Sequence, residues 1–427
     1  MIRMYESADL YFRSRSVGEG AASSALLGRV AAILDRVRNE GDRALIELTR
    51  ELDGVSLQPG ELRVSGEEIA RSAAAAPKEF RGVLSRAAEN IRRYHERQIQ
   101  EGYEIRDQDG SVVGQRIRPL ESVGVYVPGG EASYPSTVLM NVIPAQIAGV
   151  ERVVAVTPPS ALERSAELSA ALDLLGVSEV YRVGGAQAVG ALAFGTESVQ
   201  PVAKIVGPGN AYVAEAKRLV FGRVGIDAVS GPSEIVVLAD GTADARYVAA
   251  DLLSQAEHGS GDERAILVTT SRPLAESVVA EIQAQTAPLP RRRALELVLA
   301  KGGAVVLAAS LDEAVAAVDR IAPEHLEILA EDGPALAARV RNAGAIFIGE
   351  WSPVPVGDFY AGPNHVLPTG GTARFASPLG VQDFVKRTGI VRYTRRGLER
   401  GRKDIEAFAR AEGFEAHARA ISVRFET

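Results

Sequence analysis

The chain predicts an α/β fold: two incomplete Rossmann-like domains with mostly parallel sheets, a small N-terminal helical segment and a helical C-terminal tail. Three observations predict it. Short β-branched runs alternate with helical patterns in two separate series, the pattern of βαβ units whose parallel strands are covered on both faces. Two long stretches, residues 24–50 and 66–100, precede them with apolar spacing of three and four and few breakers. Residues 351–380 (WSPVPVGDFYAGPNHVLPTGGTARFASPLG) have no obvious regular element, and loops of that length inside compact enzymes are usually functional.

After the early helices, residues 111–127 read as strands that end in a Pro-Gly-Gly turn. The first series then runs helix 136–149, strand VVAVTP, helix 161–174, strand EVYRVGG, helix 186–194, strand AKIVGPGN and helix 211–221. The second runs strand EIVVLAD, helix 244–257, strand AILVTT, helices near 274–300, strand AVVLAA, helix 312–320, strand LEILA, helix 334–342 and strand AIFIG. The expected division is an N-terminal segment 1–23, a discontinuous first domain of 24–120 with 234–378, a second domain of 121–233, and a tail of 379–427.

Composition excludes several chemistries. With no cysteine there can be no disulfide, Cys-type zinc site, iron–sulfur cluster or thiol nucleophile. A formal charge of −7 and the lack of a basic stripe argue against nucleic acid as a partner. No apolar run reaches the ~18–20 residues that span a bilayer, and MIRMYESADLYFRSRS has charges where a signal peptide needs an apolar core. The chain therefore reads as soluble and cytoplasmic.

Five histidines are a sparse supply, and four lie in polar, glycine-punctuated settings: His258 in LLSQAEHGSGD, His325 in IAPEHLEIL, His365 in the long loop and His417 in AEGFEAHARA. His95, in the helix-like ENIRRYHERQIQ, has no such setting, so its replacement is expected to be tolerated. Gln255 and His258 are three apart at the end of a helix that Gly259 could close, and so share a face. They read equally as a metal pair or as a solvated helix end. Glu324 and His325 are adjacent on a strand, where neighbouring side chains diverge; at the turn before the strand both could face a cleft on the carboxyl side of the sheet. Asp358 and His365 gain weight from the loop that carries them. Glu412 and His417, five apart, would pass alone as solvated. Among the glycine turns, IVGPGN ends a strand and opens a helix, as a phosphate-cradling turn should. Yet Tyr212 stands where the dinucleotide fingerprint wants its third glycine, so the motif permits dinucleotide binding without demonstrating it.

Taken together, these segments closely resemble the histidinol dehydrogenase family. ESVGVYVPGGEASYPSTVLMNVIPAQIAGV, RVGGAQAVGALAFGT, KIVGPGN, GIDAVSGPSEIVVLAD, DLLSQAEHG, APEHLEI, VGDFYAGPNHVLPTGGTARFASPLGVQDFVKRT and AEGFEAHARAISVR keep the family's order over residues 105–427. The resemblance implies a Zn2+ enzyme that oxidises L-histidinol to L-histidine through L-histidinaldehyde in two NAD-dependent steps. It implies Gln255, His258, Asp358 and His417 as zinc ligands, one ion per subunit, and Glu324 and His325 as the acid–base pair. Substrate would be held by Ser233 and Glu412 beside the metal ligands and His325, and Tyr126, Gln187 and Asn210 would line the NAD site of the 121–233 domain. The tail would reach the neighbouring subunit of a homodimer, so that Glu412 and His417 act in trans. Without a cysteine thiohemiacetal, the second hydride must leave another species, most simply the aldehyde hydrate. Rival readings are a zinc and NAD dehydrogenase of another small alcohol such as sulfopropanediol, a metal-dependent hydrolase, and a non-catalytic metal-binding scaffold. The last would leave Glu324 and His325 idle.

Overall fold

The computed structural model describes residues 2–15, 21–129, 133–258 and 261–426. Its strands are β1 (Arg3–Tyr5), β2 (Arg63–Val64), β3 (Tyr103–Arg106), β4 (Val112–Pro119), β5 (Ser122–Tyr126), β6 (Arg152–Val156), β7 (Glu179–Tyr181), β8 (Lys204–Val206), β9 (Gly225–Ile226), β10 (Glu234–Ala239), β11 (Arg264–Thr269), β12 (Gly303–Leu307), β13 (His325–Leu329), β14 (Ala345–Ile348) and β15 (Val385–Arg392). Two six-stranded sheets and one three-stranded sheet result. The α/β class and the two parallel series are as the sequence predicts.

One six-stranded sheet has the order β2-β7-β6-β5-β8-β9 and is parallel except for the short β2. The chain steps outward from β5 through β6 to β7 and then returns to the other side of β5 as β8. The other sheet, β1-β12-β11-β10-β13-β14, is wholly parallel and repeats the device around β10, which lies between β11 and β13. Such reversals of strand order open a crevice at the strand ends, where open α/β sheets bind ligands. The strands EIVVLA, RAILVT and GAVVL are buried almost throughout because helices cover both faces.

The packing of the early helices differs from the expected grouping of 24–120 with 234–378. Val30, Leu34, Val37 and Leu45 share a core with Val154, Tyr181 and Leu192, while Ile69, Leu84 and Ile91 share one with Leu139, Leu168 and Val180. These helices thus cover the β5–β8 sheet. Helix-to-helix fit decides the matter: at Gly190 even a Cβ would come within 3.2 Å of Leu34 and Val37, so the missing side chain admits the helix Ala21–Glu40.

The chain divides into two compact units, residues 1–98 with 120–384, and residues 99–119 with 385–427. The second unit holds the antiparallel sheet β15-β4-β3 and the helices Arg395–Ala411 and Glu415–Ser422. The expected tail is therefore not purely helical. Beyond the short 3-10 turn Val381–Phe384 it contains an eight-residue strand whose polar sequence VKRTGIVR lacks a core-facing alternation and is paired instead by β4. No helix among the described residues is long and apolar enough to cross a membrane.

Candidate active site

The helix Leu311–Ile321 runs into Ala322, which at φ 52 is the one non-glycine residue with positive φ among the described residues. Pro323 disfavours helical backbone at the residue before it, so the chain must turn there. A left-handed alanine is sterically strained by about 1–2 kcal/mol, and such strain clusters at functional sites. Glu324 and His325 follow at once, at the amino end of β13.

Strands β10 and β13 pair with Ile235 opposite His325, so Glu234 lies beside both candidates. The Glu234 N–H donates to Glu324 Oε2 at 2.8 Å, and the Glu234 carbonyl lies 3.2 Å from His325 Nδ1. With Nδ1–H donating to that carbonyl, a tautomer assigned from the hydrogen-bond pattern, Nε2 is left to face Asp358. The separation to Asp358 Oδ1 is 3.7 Å, an electrostatic contact rather than a hydrogen bond. His325 Nδ1 is also 3.6 Å from Glu324 Oε2. The side chain of Glu234 accepts from Gly370 N–H at 2.9 Å and lies 3.6 Å from Arg264, which ties the long loop to the same edge. Glu234 escaped the sequence reading, although a carboxylate opening the apolar run EIVVLA was the available signal.

The pair thus lies at the amino end of the sheet, which corrects the expectation of a cleft at the carboxyl side. The cause is the crossover geometry. The helix Ala245–Ala256 leaves the carboxyl end of β10 and runs back, so its last turn returns Gln255 and His258 to the amino edge. Gly259 lies outside the described residues; the helix ends earlier, with Glu257 as its cap. Ser233 stands one residue before β10 at this edge, and its carbonyl accepts from Arg264 N–H.

Charges at this edge are strongly coupled. Burial pushes Glu324 up to about 7, against the opposing pull of His325. Burial pulls His325 down, but Glu324 and Asp358 outweigh it and lift the imidazole to about 9. Asp358 would be raised by burial, yet His325, His365 and His258 together hold it below its ordinary value. It sits in the π-type turn Gly357–Ala361, a backbone form often found at functional sites. His258 is exposed at the mouth of this group; the protein packed on its inner side lowers its imidazole, against the pull of Asp358 and Glu263. Burial likewise lowers His365, whose Nε2 is buried without a hydrogen-bond partner.

Whether these residues suit a metal can be judged from their donors. Gln255 is 2% exposed and its Nε2 has no hydrogen-bond partner; turned over, the amide would offer its oxygen instead. An amide oxygen, a neutral imidazole and a carboxylate are donors zinc accepts. Three first-unit residues therefore fit, although no group of three or more His, Asp or Glu side chains forms a metal-holding cluster among the described residues. Glu412 and His417 belong to the second unit, where both are exposed. There they border an apolar hollow of about 440 Å³ with Ile405, Phe408 and Phe414, and the His417 ring lies 5.1 Å from that of Phe414.

The proposed cofactor residues fall at the carboxyl ends of the β5–β8 sheet, at its reversal of strand order. Tyr126 ends β5; it is buried, its hydroxyl accepts from Gly185 N–H at 3.0 Å, and burial pushes it up to about 12. Gln187 is buried on the helix Gly185–Phe194 with Oε1 unpartnered. Asn210 caps the helix Ala211–Val220, its Oδ1 accepting from Tyr212 N–H at 3.0 Å and Val213 N–H at 3.2 Å. Gly130, at the end of the first glycine turn, lies outside the described residues.

Two doubly wound, mostly parallel sheets, one with a glycine turn at its reversal point and the other with a buried Glu–His pair beside Asp358, give the chain the architecture of an α/β enzyme. The histidinol dehydrogenase family model matches residues 18–425. The chain is 52% identical over 403 residues to the histidinol dehydrogenase of Halalkalibacterium halodurans and 53% identical over 401 residues to that of Geobacillus kaustophilus, covering 93% of both chains in each case. The crystal structure of histidinol dehydrogenase from Elizabethkingia anophelis is similar with a TM-score of 0.91 at 35% identity, over 99% of this chain and 98% of that one. The chain belongs to the histidinol dehydrogenase family, whose members are NAD-dependent oxidoreductases of histidinol.

Proposed function

We propose that the chain oxidises L-histidinol to L-histidine through L-histidinaldehyde, with two NAD and one zinc per subunit, as a cytoplasmic homodimer with shared sites. The observation that carries this is the Glu324–His325–Asp358 group, because the buried imidazole of His325 lies 3.6 Å from the buried carboxyl of Glu324 on one side and 3.7 Å from the candidate metal ligand Asp358 on the other. When bound, zinc held by Gln255, His258, Asp358 and His417 would orient the substrate's two nitrogens, and NAD would accept a hydride in each oxidation.

The chain's own groups handle the protons. His325 Nε2, the nitrogen toward Asp358, takes the hydroxyl proton of the alcohol, while Nδ1 stays anchored to Glu234 O. Asp358 helps keep His325 protonated, and with its charge taken up by a metal the imidazole would move toward the neutral form a base needs. Glu324, buried and raised, is suited to draw a proton from the water that adds to the aldehyde. Once His325 has released its first proton to solvent, it takes the hydrate's hydroxyl proton in the second oxidation. Since the chain has no cysteine, this route needs no thiol.

The β5–β8 sheet is the proposed cofactor half, lined by Tyr126, Gln187 and Asn210. Ser233 and Glu412 would hold substrate. The helix Arg395–Ala411 buries only Gly397 and leaves Phe408 and Ile405 exposed, which supports a covering partner for the second unit. We place Glu412 and His417 in that partner's site. NADH formation from histidinol, with and without a chelator, tests the function. Chelator-insensitive turnover, or consumption of histidinol without NADH, would overturn it.

A further inference from the structure

The cofactor half contains a buried ion pair that the chemistry above does not use. Lys217, on the helix Ala211–Val220, is 1% exposed and its ammonium pairs with the buried carboxylate of Asp227. Taking both charges out of water is costly, and apolar replacements of buried pairs are often at least as stable, so stability is a weak reason for this one.

Its hydrogen bonds point elsewhere. Lys217 Nζ donates to Gly207 O at 2.9 Å, and Gly207 N–H donates to Asp227 Oδ2 at 2.8 Å. The pair therefore holds both peptide groups of one glycine, the first residue of the turn between β8 and the helix. Asp227 is fixed in its turn: its N–H continues the ladder to Ile205 O at 3.2 Å, and its Oδ1 accepts from Ala228 N–H at 2.6 Å. From the other side, Gly207 is pressed against the end of β5. Its φ is +107, and a Cβ there would stand 2.3 Å from Tyr126 O. The turn 207–210 is thus held between Tyr126 and the ion pair, with Asn210 capping the helix beyond.

We propose that Lys217 and Asp227 are positioning residues for NAD: they hold the Gly207–Asn210 turn in the shape that receives the dinucleotide, and so lower the ordering cost of binding. This rests on the reading that the turn lines the NAD site.

The test uses the zinc-loaded, full-length enzyme. Single apolar variants would strand a buried charge, so the main variant is Lys217→Met/Asp227→Leu, with near-isosteric Asp227→Asn as the second and thermal unfolding as the check on folding. NAD KM and Kd should rise about tenfold in the double variant and about threefold in Asp227→Asn, while KM for histidinol and kcat at saturating NAD stay within about twofold. A folded variant whose NAD Kd is unchanged, or one in which KM for histidinol rises as much as KM for NAD, overturns the proposal. Asn210→Asp separates the two readings, since it keeps the capping oxygen and adds a negative charge where the cofactor's pyrophosphate would lie. If it leaves NAD Kd unchanged, the NAD-site reading fails and the proposal with it. If it weakens NAD and the double variant does not, only the clamp fails.

Discussion

Replacing His95 with alanine should unfold the protein at a markedly lower temperature, contrary to the sequence expectation that this histidine is dispensable. Its side chain is 0% exposed on the helix Lys78–His95. Nδ1 lies 2.9 Å from Ile91 O, and Nε2 lies 3.4 Å from Asn364 Nδ2, which also donates to Met140 O at 2.6 Å. Deletion removes a buried ring and its hydrogen bonds, each bond worth about 1 kcal/mol. The cavity adds to this, since large-to-small core replacements cost ~2–5 kcal/mol. A total of about 4–7 kcal/mol follows, and at ~2–4 °C per kcal/mol the midpoint should fall by roughly 8–28 °C.

The pH dependence supplies a second check. Burial holds the His95 imidazole below its ordinary value of 6.5, despite the Ile91 carbonyl, which favours the charged form. A depressed histidine contributes stability that is complete above pH 6.5 and lost as pH falls through the folded value. The penalty of His95→Ala should therefore be larger at pH 8 than at pH 5, because at pH 5 the parent has already lost part of this contribution. Thermal unfolding followed by circular dichroism at both pH values measures it. A midpoint within 1 °C of the parent at pH 8, or a penalty that grows toward acid, would refute the reasoning.

The remaining predictions concern the site. His258→Asn should lose bound zinc and activity together, as measured by metal analysis and NADH formation; full occupancy with normal turnover would remove His258 from the ligand set. Glu324→Gln keeps an oxygen to accept the Glu234 N–H but loses the base, so it should slow aldehyde oxidation more than alcohol oxidation, whereas His325→Ala should damage both by ~10²–10⁴-fold. Equal losses on the two substrates for Glu324→Gln would count against the division of labour. Co-assembly of an inactive Glu324/His325 double variant with an inactive His417 variant should restore about one working site per mixed dimer if the tail acts in trans, since twofold symmetry puts both defects in one site. Mixed dimers without activity would return the tail to its own subunit.

Local pattern made the strands and helices of this chain legible. Continuous β-branched runs such as EIVVLA and AILVT, bounded by polar turns and separated by apolar spacing of three and four, specify buried parallel strands and their crossovers wherever they pack. The same pattern located the long loop that carries Asp358, and the absence of cysteine limited the chemistry available to it. Motif order then singled out Gln255, His258, Glu324, His325 and Asp358, because their residue types carry the chemistry whatever their neighbours.

What periodicity could not specify was which elements meet. An apolar stripe on a helix fits any sheet with a matching face, so only the close approach at Gly190 assigns the helix Ala21–Glu40 to the β5–β8 sheet. His95 looked replaceable because no motif surrounds it and its partner Asn364 is 269 positions away. Glu234 and Lys217 likewise look unremarkable beside their sequence neighbours, and gain their roles from bonds to Glu324, 90 positions on, and to a glycine ten residues back across a turn. The amino-edge location of Glu324 and His325 belongs to the same class. It follows from the direction in which a crossover helix returns, a property of strand order in space that no stretch of sequence contains.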